Sequence, residues 1–147
     1  MSLNVTIREL TVADLDQVME IEHANFHYPW PKSFFHDDLV SPQSVCRTGW
    51  VKDRLVSYVI ARVADIELHV LNVAVDKAFQ HRGIGSFMMQ QVEREGLDRG
   101  CLYAYLEVRV SNKMAIAMYN KLGYHTAYTR SRYYLDGEDA YVMEKLL

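Results

Sequence analysis

Three places in this 147-residue chain carry groups that can do chemistry. The first is Gln80-His81-Arg82-Gly83-Ile84-Gly85, two close glycines beside an arginine, with no acidic residue between Asp76 and the start of the next helical pattern. Glycines without a Cβ let backbone come close to a phosphate. Free N–H groups at a helix start, helped by the helix dipole, attract an anion. Successive N–H groups in such a turn form a concave nest. The second place is Glu107, within Tyr105-Leu106-Glu107-Val108. Strand alternation puts Tyr105, Glu107 and Arg109 on one face. That allows a solvated Glu–Arg face, or a buried carboxyl with a raised pKa that can take up a proton. The third is Tyr119, either a core tyrosine or a phenol that hands over its proton.

The elements that must position these groups are legible. Leu68 to Val75 is nearly continuous apolar sequence and reads as a strand covered on both faces. A helix starts near Ile84, with Ile84, Phe87, Met88, Gln91, Val92 and Glu95 recurring at helical spacing. Gly100 ends it. Leu102 to Val110 is the next strand and, by the crossover rule, lies parallel to Leu68–Val75. Ser111-Asn112 caps a short helix, Lys113 to Leu122, which Gly123 closes. Two parallel strands that splay open a slot at their carboxyl ends, where ligands of open α/β sheets sit. The anion class is narrowed by exclusion. A P-loop needs Gly-x4-Gly-Lys-Ser/Thr, which is absent, and Met88 stands where a dinucleotide fingerprint needs its third glycine.

Gln80, Arg82, Gly83 and Gly85, preceded by Asn72-Val73-Ala74-Val75-Asp76, resemble the acetyl-coenzyme A loop of the GNAT acyltransferases, Gln/Arg-x-x-Gly-x-Gly/Ala. Leu106-Glu107-Val108-Arg109-Val110-Ser111-Asn112, then Ala115-Ile116-Ala117-Met118-Tyr119 and Leu122-Gly123-Tyr124, resemble the RimI group, which acetylates protein N-termini. The similarity runs from about Asn72 to Met143, and more loosely over the first 70 residues. It implies an α/β (α+β) fold: a mixed, mostly antiparallel sheet with one splayed parallel pair and helices on both faces. It implies acetyl-CoA as cosubstrate and no metal. The main chain of Val73, Ala74 and Val75 is then expected to take the pantetheine arm, in the manner of an added strand. His81, Arg82, Gly83, Ile84, Gly85 and Ser86 would hold the diphosphate. Asn112 is a plain cap or, as in the family, also touches the cofactor. The resemblance makes Glu107 the general base and Tyr119 the general acid.

The rest of the chain supplies the surroundings. Val5 to Glu9 reads as a first strand. Thr11 with Asp14 approximates a capping box before a helix burying Leu15, Val18, Met19 and Ile21. Prolines at 29 and 31 stop that helix and start a second, Lys32 to Leu39. Tyr28, Trp30, Phe34 and Phe35 form either a satellite core or one wall of a substrate groove; the RimI likeness favours the groove for Tyr28 and Trp30. Ser44–Val51 and Leu55–Val63 read as strands joined at Lys52-Asp53-Arg54. Tyr124–Arg130 and Ala140–Lys145 are the last two. Tyr133, Tyr134, Glu138 and Asp139, between them, are a polar hairpin tip or the other wall of a peptide groove, with an acidic rim that attracts an ammonium group.

The totals agree with one enzyme-sized domain over residues 1–147. Half of the residues are apolar, and 16 basic against 19 acidic residues give a net charge of −3. No basic block points to nucleic acid. No apolar run reaches the roughly 18 residues a span needs, and Met1-Ser2-Leu3-Asn4-Val5 shows no leader pattern. Cys46 and Cys101 lack metal spacing and fit a reducing cytoplasm. The expected partner is a protein or peptide N-terminus, ribosomal in the family's bacterial members, with the enzyme a monomer or weak dimer. The alternatives are acetylation of a small amine or a lysine side chain, or a non-catalytic acyl-CoA-binding module.

Overall fold

The computed structural model describes residues 4–147. Residues 1–3, part of the segment read above for a leader, lie outside the described residues. The order is β1 (Thr6–Glu9), α1 (Leu15–Asn25), α2 (Lys32–Val40), β2 (Ser44–Val51), β3 (Arg54–Ala64), β4 (Glu67–Val75), α3 (Ile84–Asp98), β5 (Tyr103–Arg109), α4 (Lys113–Lys121), β6 (His125–Arg130) and β7 (Ala140–Leu146). The sheet runs β1-β2-β3-β4-β5-β7-β6. Every neighbouring pair is antiparallel except β4 and β5, which are parallel. The expected mixed sheet with one parallel pair is therefore what forms.

Two apolar clusters cover the two faces. Val56, Val59, Leu68, Val70, Met88, Val92, Leu106, Tyr119 and Met143 pack with α3 and α4. Leu15, Val18, Ile21, Phe35, Trp50, Tyr58 and Ile60 pack with α1 and α2. Strand β3 is buried from Leu55 to Ala61 because helices cover both of its faces. Strand β4 instead alternates, and it carries an irregularity. Ile60 pairs with Asn72 and Ala61 with Val70, so Leu71 is an extra residue. A one-residue insertion sends each following side chain to the other face. Leu68 and Val70 accordingly join the α3 cluster and Ala74 joins the α1 cluster.

The buried stripe of α3 differs in phase from the sequence reading. It consists of Ile84, Gly85, Met88, Met89, Val92, Glu93 and Gly96, whereas Phe87 is exposed. The reason is close packing. A Cβ on Gly96 would meet Leu68 Cδ2 at 3.1 Å and one on Gly85 would meet Met118 Sδ at 3.0 Å. A side chain at either position would force its neighbour to give way by a few tenths of an ångström. Glu93 is tolerated inside because Tyr124 Oη donates to it at 2.8 Å and Lys145 Nζ at 2.8 Å. Helix α1 is preceded by a short 3₁₀ turn over Val12–Asp14, and the Thr11 N–H donates to Asp14 Oδ2 at 2.9 Å as the capping pattern predicts.

Candidate active site

The parallel ladder between β4 and β5 covers only Glu67–Val70 against Tyr103–Leu106. Beyond Val70 and Leu106 the strands part, and the bulge at Leu71 marks the point. Backbone groups of successive strand residues point alternately to the two sides. The Asp76 N–H donates to Val56 O at 2.7 Å and Ser57 Oγ donates to Ala74 O at 2.7 Å, so those residues face β3. Alternation turns the main chain of Val73 and Val75 toward the opening. Ala74, expected to contribute with them, directs its carbonyl to β3 instead. Val75 O accepts from Asn25 Nδ2 at 2.9 Å and Gln80 Nε2 at 3.0 Å, which pins the strand end.

On the α3 side of this gap sits the glycine turn. Gly83 is the N-cap of α3 with φ +79°, a left-handed conformation that a side chain resists. Gly83 offers no side-chain cap, and the first turn of the helix carries no acid. The first intrahelical bond runs from the Phe87 N–H to Gly83 O at 3.0 Å. The N–H groups of Ile84, Gly85 and Ser86 therefore have no partner within the helix and point outward, as helix starts do. His81 is also left-handed, with φ +65°, and Arg82 lies 5.6 Å from the Phe79 ring. Asn112, at the N-terminus of α4, accepts from the Ala115 N–H through Oδ1 at 3.3 Å.

On the opposite face lies Glu107. Its side chain is 8% exposed, and Oε2 is 2.7 Å from His69 Nε2. His69 is held in turn by stacking on Tyr105 at 4.2 Å with 12° between the planes. The β4–β5 register places His69 beside Tyr105. Burial pushes the Tyr105 phenol up to about 12, with Glu67 and Glu107 adding to the rise. Glu107 and Arg109 do share a face, but they do not pair with each other. Arg109 Nη1 binds Asp136 at 2.9 Å and Glu138 Oε1 at 2.9 Å.

Tyr119 is 6% exposed and meets the Tyr124 ring edge-on at 5.9 Å. Burial raises its pKa, and the nearby Tyr134 phenol adds to the rise. The Tyr119 phenol thus keeps its proton well above neutral pH.

The two loops separate the aromatic candidates. Trp30 packs on Phe35 at 5.2 Å and Phe34 at 6.0 Å, within the α1–α2 cluster. Tyr28 is exposed and its ring lies 5.5 Å from the Arg109 guanidinium. Tyr134 lies 4.0 Å from the same guanidinium on the β6–β7 loop. Arg109 thus bridges the two loops across the mouth of the gap. Tyr133 packs edge-on against Tyr134 at 5.0 Å, with Arg130 5.5 Å away. Burial pushes Tyr134 up to about 12, against the lowering influence of Arg109. Glu138 is engaged on both oxygens: Oε1 by Arg109, and Oε2 by the Ser111 N–H at 3.0 Å. The Ser111 hydroxyl first, then Arg109, with the Ser111 N–H adding, hold its carboxyl below the usual range.

Tyr28, Tyr133, Tyr134 and Glu107 therefore converge on one side of the gap, while Trp30, partly buried, packs its ring on Phe34 and Phe35. Sequence reasoning missed His69 and the bridging role of Arg109. The only signal for His69 was the strand register, which depends on where parallel pairing stops.

The sequence pattern of the acetyltransferase (GNAT) family matches residues 15–124. The "[Ribosomal protein bS18]-alanine N-acetyltransferase" of Salmonella typhimurium is 35% identical over 142 residues, covering 94% of this chain and 95% of that protein. The "N-alpha-acetyltransferase RimI" of Mycobacterium tuberculosis is 37% identical over 150 residues, covering 96% of this chain and 92% of its own. The crystal structure of the ribosomal-protein-S18-alanine N-acetyltransferase from Escherichia coli superposes with a TM-score of 0.89 at 31% identity, covering 97% and 94% of the two chains. With its pattern matched over most of its length, and relatives alike nearly end to end, this chain belongs to the acetyltransferase (GNAT) family.

Proposed function

We propose that this protein is an acetyl-CoA-dependent Nα-acetyltransferase of the RimI type, acting on a protein N-terminus, with a ribosomal N-terminal alanine as the leading substrate. The observation that carries the reading is the buried Glu107 carboxylate, 2.7 Å from His69, at the mouth of the β4–β5 gap whose other side ends in the uncapped α3 amides. Acid-free N–H groups beside Gly83 suit a diphosphate. The Val73 main chain and the Val75 N–H suit the amide-bearing arm of coenzyme A. The similar bacterial enzymes are named for acetylating the alanine of ribosomal protein bS18, which supports a protein substrate.

The chemistry follows from the groups present. The amine must lose a proton to attack the thioester carbonyl. An α-amino group has a reference pKa near 7.8 and a lysine near 10.4, so lysine is about 3.5 kcal/mol harder to deprotonate. A carboxylate is an adequate base for the first. Glu107 takes the amine proton, directly or through a water, and His69 holds the carboxylate in place. Backbone N–H groups at the open edge of β4 polarise the carbonyl oxygen. As the new C–N bond forms and the C–S bond breaks, Tyr119 gives its proton to the departing thiolate. No enzyme nucleophile takes part.

Free-thiol release from acetyl-CoA, with N-terminal peptides, internal-lysine peptides and small amines as acceptors, tests the reading. Preference for free peptide N-termini supports it; release with small amines or lysines alone redirects it within the family. Coenzyme binding without any release marks a non-catalytic module.

Gly83→Ala is expected to raise the acetyl-CoA Kd about tenfold, since a left-handed alanine costs ~1–2 kcal/mol and relaxes the turn. Isothermal titration with acetyl-CoA measures it. Tyr133→Ala is expected to raise the peptide KM by about fivefold to tenfold, the ~1 kcal/mol of a lost aromatic contact, at unchanged acetyl-CoA Kd. Equal changes in both constants would argue against a peptide wall.

A further inference from the structure

Glu22, on α1, is 1% exposed. None of the ion pairs among the described residues includes it. Three hydrogen bonds surround it instead. Asn72 Nδ2 donates to Oε1 at 3.0 Å, the Tyr58 hydroxyl donates to the same oxygen, and the Trp30 N–H donates to Oε2 at 2.9 Å. A buried carboxylate is expensive unless its lone pairs are met. Here they are met, and an apolar residue at this position would leave the Asn72, Tyr58 and Trp30 donors without an acceptor. The donors show what the acid does. Asn72 directly follows the bulge residue Leu71 and directly precedes Val73, whose main chain borders the gap. Trp30 lies two residues beyond Tyr28, whose ring meets Arg109 over the mouth of the gap. The same helix end reaches β4 a second time, through Asn25 Nδ2 to Val75 O at 2.9 Å.

We propose that Glu22 is a positioning residue that fixes the α1–α2 loop at a set distance from β4. It thereby sets how an incoming polypeptide lies against the strand that presents the acyl group. The kinetic part rests on the Nα-acetyltransferase reading; the structural part does not. One carboxylate joins both sides: Oε2 holds the loop and Oε1 holds the strand. Its aspartate homologue, one methylene shorter, would reach only one of them.

Two variants test this. Glu22→Gln is nearly isosteric but presents an NH₂ group to a donor, at Trp30 or at Asn72. Glu22→Leu keeps apolar packing and accepts nothing. Hydrogen–deuterium exchange of the full chain is expected to speed up at least tenfold in residues 26–31 of Glu22→Leu, with β3 and α3 protection unchanged. The peptide KM is expected to rise about tenfold in the same variant, with acetyl-CoA Kd within twofold of the parent and transfer to a small amine unaffected. Glu22→Gln should fall between. Unchanged loop exchange in Glu22→Leu overturns the proposal. So does an equal loss of protection in the loop, β3 and α3, which is the mark of a merely structural acid. If the parent enzyme acetylates no peptide, the Nα reading fails by itself, and the exchange data still decide the role of Glu22.

Discussion

Glu107→Gln is expected to lower kcat for peptide acetylation by about 10²- to 10⁴-fold, the usual contribution of a positioned base, with acetyl-CoA Kd unchanged. The substitution keeps the shape of the side chain and its reach to His69, now 2.7 Å from Glu107 Oε2. It removes the basic lone pair. Coenzyme affinity should survive because Glu107 lies across the sheet from the Gly83 turn. A peptide with a free α-amine should suffer more at pH 6 than at pH 9. At the higher pH a larger share of the amine, with a reference pKa near 7.8, is already neutral. Stopped-time assays of thiol release across that range measure both effects. Turnover that stays within threefold of the parent at every pH removes Glu107 from the role, and His69 becomes the next group to replace.

Tyr119→Phe is expected to lower kcat by about 10²-fold, less than the base variant. A thiol has a reference pKa near 8.5, so a thiolate is a tolerable leaving group and proton donation helps it only in part. The direction of the pH effect follows from burial. The folded phenol has its pKa raised above its ordinary value of about 10. It is therefore protonated, and competent as an acid, at all pH values below that. The alkaline fall in kcat that belongs to Tyr119 must lie above pH 10, and it should vanish in the phenylalanine variant. Stability should change little, because the ring contact with Tyr124 at 5.9 Å is retained. A decline centred below pH 9 that persists in Tyr119→Phe would assign the limb to another group.

Much of this arrangement could be read from the chain. Turn chemistry is local, so Gly83 at the start of α3, Asn112 as the cap of α4 and the strand spans around them follow from a few neighbouring residues. Glu107 stood out as a carboxylate in an apolar strand, and the family resemblance, not the pattern, made it the candidate base. Its partner was not legible, because His69 and Glu107 are 38 residues apart and meet only through the parallel register. Arg109 looked like the partner of Glu107, since both face one way. Carboxylates from a loop 27 and 29 residues on attract it instead. Periodicity also placed Phe87 on the inner stripe of α3, where Gly85 and Gly96 belong. Helical spacing reports an apolar stripe but not which neighbours press closest, and Met118 and Leu68 come tightly against α3 at Gly85 and Gly96, where no side chain stands. Trp30 shows the same limit. Its position beside Tyr28 suggested a shared role, but a backbone hydrogen bond to Glu22 and two phenylalanine rings engage it at the edge of the α1–α2 cluster.

The short parallel ladder, only four residues on each strand, turns the sheet into a partition with a window. The glycine turn lies behind the window and the tyrosine loops lie in front. On the proposed reading, acyl donor and acceptor would enter by separate doors and meet without crossing paths. A finished polypeptide would then back out by the front while the spent thiol still occupies the rear.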